Sequence, residues 1–107
     1  MENEIKLFYD ADRTKEASNI ITFDPIDSGK ETKKSLYIYN YVPFKVNIDI
    51  SVEGIDVTII KNIKEINPNE QKEIIISMKP KITSMKPIDV KLNIKLDYII
   101  KWVVIYF

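Results

Sequence analysis

Phe44, Val46, Ile48, Ile50 and Val52 alternate with Lys45, Asn47, Asp49 and Ser51. A period of two places apolar side chains on one face of an extended chain and polar ones on the other, so this run predicts a strand with one buried and one wet face. A second run of the same kind sets Val90, Leu92, Ile94 and Leu96 against Lys91, Asn93, Lys95 and Asp97. Wound as a helix, either run would scatter its apolar residues around the whole circumference. Shorter segments of strand composition occupy 5–9, 19–23, 35–40, 56–60 and 73–78. They are separated by turn-forming stretches: Asp10-Ala11-Asp12, residues 25–29, Tyr41-Val42-Pro43, Glu53-Gly54, Asn67-Pro68-Asn69 and residues 80–87. Residues 13–18 could form one helical turn, and no other segment reads as helical. Short strands at this spacing predict an all-β chain, an immunoglobulin-like β-sandwich of about seven to eight antiparallel strands forming one domain over residues 1–107.

The alternation changes character toward residue 107. Even positions stay apolar throughout: Val90, Leu92, Ile94, Leu96, Tyr98, Ile100, Trp102, Val104 and Tyr106. Odd positions begin polar, but after Lys101 come Val103, Ile105 and Phe107. This last stretch is therefore apolar on both faces. One face can enter a sandwich core; the other needs cover, because an apolar strip at a sheet edge invites pairing with another chain. The cover comes either from the chain's own loops at 10–18 or 80–87, or from another protein chain, which is the preferred expectation. No turn residue lies between Asp97 and Trp102. Residues 90–107 thus form either a tight, unusual hairpin or one strand of ~60 Å at ~3.3 Å per residue, longer than a normal domain uses.

Composition narrows the chemistry. The 107 residues contain no cysteine and no histidine, which excludes thiol nucleophiles, imidazole acid–base catalysis and zinc sites built from those ligands. Sixteen basic residues balance sixteen acidic ones, and Arg13 is the single arginine, so no bulk field or arginine fork favours nucleic acid. The acidic start Met1-Glu2-Asn3-Glu4 leads into no apolar signal region, and residues 98–107 are about half of what a membrane-spanning helix needs. Neither secretion by a signal peptide nor membrane anchoring is expected.

Particular turn and strand residues carry a family likeness. Ile21-x-Phe23-x-Pro25-Ile26-x-x-Gly29 precedes a strand ending Leu36-x-Ile38-x-Asn40, followed by Pro43-Phe44-x-Val46. Further on stand Ile66-Asn67-Pro68-Asn69-Glu70 and Ile74-x-Ile76-x-Met78-x-Pro80. Over residues 19–97 this pattern resembles the ASH/MSP (major sperm protein-like) group of immunoglobulin-like domains, which recur in ciliary and centrosomal proteins, bacterial surface proteins and phage virion proteins. Asn69 stands where that group commonly has glycine, and Asp24-Pro25 replaces a frequent glycine. The resemblance implies a binding or scaffolding role rather than an enzyme, and names no partner.

Candidate sites follow from the same residues. Asp10 with Asp12, and Asp24 with Asp27, could offer paired carboxylates to calcium, but neither pair has the spaced ligands and distal bidentate Glu of a calcium loop, so both read as turns. Lys30, Lys33 and Lys34 form the one basic cluster; Glu31 interrupts it, and a solvated loop is expected. Tyr37, Tyr39 and Tyr41 share a face opposite Leu36 and Ile38, either as a contact surface or packed under a loop. The expected protein interface comprises Tyr37, Tyr39, Tyr41, Val103, Ile105 and Phe107. No cofactor, metal, nucleic acid, membrane or small-molecule substrate is expected, and the anticipated partners are other protein chains, as homo-oligomer or virion proteins.

Two functions are in view. One is a structural component of a phage head, neck or tail, located in the virion after assembly in the host cytoplasm. The other is a soluble, cytoplasmic adaptor of the major sperm protein type, gripping a short peptide near Tyr37 and Tyr39. With even positions inward, Val103→Asp is expected to leave the melting temperature of the chain unchanged and to abolish association in size-exclusion chromatography; a variant that unfolds would place Val103 in the interior.

Overall fold

In the computed structural model, which describes residues 4–98, the chain forms eight strands in two antiparallel sheets packed as a β-sandwich. The strands are β1 (Ile5–Phe8), β2 (Ile20–Phe23), β3 (Thr32–Asn40), β4 (Val46–Glu53), β5 (Val57–Lys61), β6 (Glu65–Ile66), β7 (Gln71–Met78) and β8 (Ile88–Tyr98). One sheet has the order β1-β3-β7-β5, the other β2-β8-β4-β6.

The period-two runs explain the interior. Leu36 and Ile38 of β3, Ile74 and Ile76 of β7, Ile48 and Ile50 of β4, and Val90 and Leu92 of β8 are buried, while their neighbours, apart from the buried Ser77, are half-buried or exposed. Ile21 and Phe23 of β2 are wholly inaccessible and close one side of this core. Each fully buried aliphatic or aromatic side chain contributes about 1.5–3 kcal/mol, and together they offset the entropy of ordering a chain with no disulfide. The pairing of β4 with β8 is the longest in the second sheet, running from Val46↔Tyr98 to Glu53↔Lys91.

The two sheets are joined at one end by a buried amide. Asn40, at the close of β3, is completely inaccessible. Its Nδ2 donates to the carbonyls of Phe44 (3.0 Å) and Ile66 (3.2 Å), and its Oδ1 accepts from the Val42 N–H (2.8 Å). The Asn40 backbone engages the 67–70 turn, donating to Glu70 O (3.1 Å) and accepting from Asn69 N (2.9 Å). Asn69 sits there at φ 57, the left-handed region where asparagine is the next most tolerant residue after glycine. Gly29 does the comparable service before β3, at φ 78 with its N–H on Pro80 O (2.9 Å).

Several expectations need correction. Residues 13–18 form no helical turn; Glu16 bridges Phe8 as a short antiparallel extension beside β1. The 44–52 alternation begins as strand only at Val46, because Pro43 to Lys45 are bends and loop. β3 starts earlier than residue 35, so Lys33 and Lys34 lie on a strand opposite Ser77 and Ile76, not in a loop. β6 was not foreseen. β8 continues extended through Asp97 and Tyr98, with no reversal at that point. Whether residues 90–107 make a hairpin or one long strand, and the placement of Trp102, Val103, Ile105 and Phe107, lie outside the described residues.

Replacing Asn40 by alanine leaves one buried N–H and two buried carbonyls without their partner, and is expected to cost about 2–4 kcal/mol in chemical denaturation. Asn40→Asp aims a carboxylate at two carbonyl oxygens. Its loss relative to the parent chain is expected to be larger at pH 7 than at pH 4, where a protonated carboxyl can donate again.

Candidate protein interface

The tyrosine face lies on the outer side of the first sheet. Tyr37 and Tyr39 alternate with the buried Leu36 and Ile38 of β3, so their rings emerge away from the core, as the alternation predicts. Tyr41 follows the end of the strand and still joins the group: its ring centroid is 4.4 Å from that of Tyr39. All three are half-buried. Arg13, held at φ 58 in the 10–18 loop, lays its guanidinium 4.2 Å from the Tyr39 ring centre and donates to Gln71 Oε1 at 2.7 Å. The Tyr37 hydroxyl donates to Glu73 Oε2 at 3.4 Å, and Lys61 donates to the other Glu73 oxygen at 3.0 Å. The chain's own loop therefore already packs on this face, beside which a partner would have to fit.

The second sheet presents a different surface at β8. β2 pairs only with residues 88–91 of that strand, and the Leu92 N–H adds one bond to Asn19 O at 2.7 Å. That bond fixes the direction of the strand's polar groups. Successive residues of a strand point their N–H and C=O to opposite edges, so Ile94 and Leu96, like Leu92, aim theirs at the side that β2 has vacated. Among the described residues no strand pairs with this edge beyond Leu92. Burial falls along the same line: Val90 and Leu92 are buried, Ile94 and Leu96 only half-buried, and Tyr98 is 40% exposed with its ring edge-on to Phe44 at 5.8 Å. An open cleft of about 250 Å³ lies here, lined by Ile5, Leu7, Ile38, Ile94 and Leu96 together with the charged Glu4, Lys6 and Glu16.

The opposite edge of the same sheet is treated otherwise. β6 covers Val46 and Asn47 of β4, the Ile48 N–H donates to Lys64 O (2.8 Å), and Asn62 Nδ2 donates to Ile50 O (3.0 Å). The loop after β5 thus satisfies polar groups along β4, the usual way in which a sheet edge is kept from pairing elsewhere. In the first sheet, Ala17 N donates to Leu7 O (2.8 Å) and Tyr9 N to Lys15 O (2.9 Å), which covers part of β1.

The remaining sequence candidates are local. Asp10 accepts from the backbone N–H groups of Thr14 and Lys15 and from the Thr14 hydroxyl, which spends its carboxylate on closing a turn. These bonds, the Thr14 hydroxyl first, hold its pKa below the ordinary aspartate value. Asp27 faces Lys30 at 3.6 Å, and Asp24 is exposed. Among the described residues no group of three or more acidic side chains is arranged to hold a metal ion. The lysine cluster is occupied locally too: Lys33 meets Glu31 at 3.5 Å, while Lys34 donates to Thr22 O and lies 5.2 Å from the Phe23 ring centre. Unforeseen from sequence was an apolar end of the sandwich. Ile55, Ile82 and Met85 are each more than four-fifths exposed at the tips of neighbouring loops. The 80–87 loop that carries two of them is tied to the 25–30 loop through Ser28 and Ser84. No described helix is long and apolar enough to cross a membrane.

Set against protein-family models, curated proteins and solved structures, the chain matches none of them.

The charged framework around the tyrosine face sets a pH response. Hydrogen bonding from Lys61 is the main cause that lowers Glu73, with Ser35 and Tyr37 assisting; Ser77 lowers Glu31 and Lys45 lowers Glu65. A carboxyl whose folded-state pKa is depressed stabilises the fold above its unfolded value and loses that contribution as pH falls through the folded value. The melting temperature is expected to be nearly flat above the ordinary glutamate value of 4.5 and to fall below it. Glu73→Gln is expected to flatten part of that fall, measured by thermal denaturation in steps of pH.

Proposed function

We propose that this chain is a non-enzymatic structural protein that packs against other protein chains in a larger assembly, with a phage virion as its setting. The observation that carries the reading is the edge of β8 beyond Leu92, along which no described strand pairs. The side chains of Ile94 and Leu96 line a cleft there, and the residues that follow in sequence, 99–107, are apolar at both parities apart from Lys101. A surface of this kind favours β-strand addition or apolar packing from a neighbour. Support also comes from the resemblance to the ASH/MSP group, whose members include virion proteins and are not usually enzymes. Of the four carboxylates that the sequence singled out, Asp10 closes a turn and Asp27 faces Lys30, while Asp12 and Asp24 are exposed.

Purified virions from the source, analysed by mass spectrometry, are expected to contain this chain at a fixed stoichiometry. Its absence from the particle would overturn the virion setting. A chain that stays monomeric at high concentration and captures a linear peptide at Tyr37 and Tyr39 would turn the reading toward an adaptor.

A further inference from the structure

We infer that the apolar loop end of the sandwich is a self-complementary contact, in which Met85 of one copy of this chain enters a groove on a second copy and that copy returns the same contact. The inference goes beyond the assembly reading above, since it concerns the end of β8 remote from Tyr98 and uses none of the edge beyond Leu92. Ile55, Ile82 and Met85 are 85%, 82% and 85% exposed. One apolar side chain on a surface is ordinary; three at one end make a patch. Beside them lies a groove of about 500 Å³, lined by Ile55, Pro80, Ile82 and Ile88 together with the charged Asp56, Lys81 and Asp89. The loop that carries Met85 is pinned to the 25–30 loop. Ser28 N–H donates to Thr83 Oγ1 at 3.0 Å, the Ser28 hydroxyl to Lys81 O at 2.7 Å, and Ser84 N–H to Ile26 O at 2.9 Å. Met85 is thereby held out in water, and not folded into the groove beside it.

The rest of the chain does not reach this groove. The two ends of the 11-residue β8 lie about 33 Å apart. Residues 99–107 span about 30 Å fully extended, a return uses part of that length, and β2 already flanks residues 88–91. Residues 1–3 adjoin Glu4, whose carbonyl accepts from Tyr41 N–H past the far end of β3. The occupant therefore comes from outside, and charge selects its kind. Asp56 accepts from Lys81 N–H at 3.2 Å and Asp89 from the Thr22 hydroxyl at 2.6 Å. Among the described residues neither carboxylate is in an ion pair, and nor is the Lys86 ammonium. The groove thus holds two carboxylates against the single ammonium of Lys81. A second copy that inserts Met85 brings Lys86 toward those carboxylates, and a two-fold axis makes the exchange reciprocal. Unbranched methionine suits an irregular apolar gap. The same two carboxylates oppose the anionic face of a lipid bilayer.

The test is sedimentation equilibrium of the full chain over a concentration series, where the mass is expected to rise from 12.5 kDa toward two copies. Met85→Asp is expected to weaken self-association about tenfold or more, with an unchanged circular dichroism spectrum because the side chain is exposed. Lys86→Glu is expected to weaken it as well, and the charge-exchanged double variant, Lys86→Glu with Asp89→Lys, to regain association. A parent that is monomeric throughout overturns the inference, including one that instead sediments with vesicles of phosphatidylcholine and phosphatidylserine. So does a Met85→Asp chain that associates like the parent, since the contact would then run through another surface. A double variant no tighter than Lys86→Glu overturns it too. None of these results touches the β8 edge or the virion setting, which amide exchange at Ile94 and Leu96 and particle composition decide separately.

Discussion

A β-strand carries hydrogen-bonding groups along both edges, and inside a sheet both must be met. The architecture turns on β8, the strand for which this requirement is met unevenly. On one side β4 pairs with it from Lys91 to Tyr98. On the other, β2 and Asn19 serve it as far as Leu92, and the described structure offers nothing beyond. The loss of cover is accompanied by a loss of burial, from Leu92 at 1% exposure to Tyr98 at 40%. Among the described residues, main-chain pairing on that side and burial decline together along β8.

The rest of the sandwich shows that its loops can cover edges where they are so placed. Lys64 and Asn62 meet β4, residues 15–17 meet β1, and Asn40 ties the end of β3 to the 42–44 and 66–70 segments with every polar atom of its side chain satisfied. Among the described residues no buried side-chain nitrogen or oxygen is without a partner. Along β8 beyond Leu92, by contrast, no described strand or loop bonds the edge that faces away from β4.

The long strands were legible because period-two alternation is a strong signal: β4 and β8 in the 44–52 and 90–96 runs, β3 and β7 through Leu36-x-Ile38 and Ile74-x-Ile76. β6 was not, since two residues cannot show a period and its place is set by Val46 across the sheet. The 13–18 segment misled for a physical reason. Helical composition over six residues is a weak prior, and the Asp10 carboxylate, by capturing the Thr14 and Lys15 N–H groups, decides the local path instead. The tyrosine face was legible as a face, but its cover was not, because Arg13 reaches Tyr39 only once the loop is folded back beside β1. The exposed Ile55, Ile82 and Met85 stand singly in sequence, and only folding sets their loops at one end. The apolar character of residues 98–107 was visible from the start; the cleft waiting beside Ile94 and Leu96 was visible only in three dimensions.

The proposed assembly role depends on β8 beyond Leu92 being an edge against which another protein chain packs. It is tested most directly by amide hydrogen exchange at Ile94 and Leu96, compared between the isolated chain and purified particles that contain it. The proposal predicts that both amides exchange slowly in the particle and fast in the isolated chain. Equal exchange in the two would contradict it.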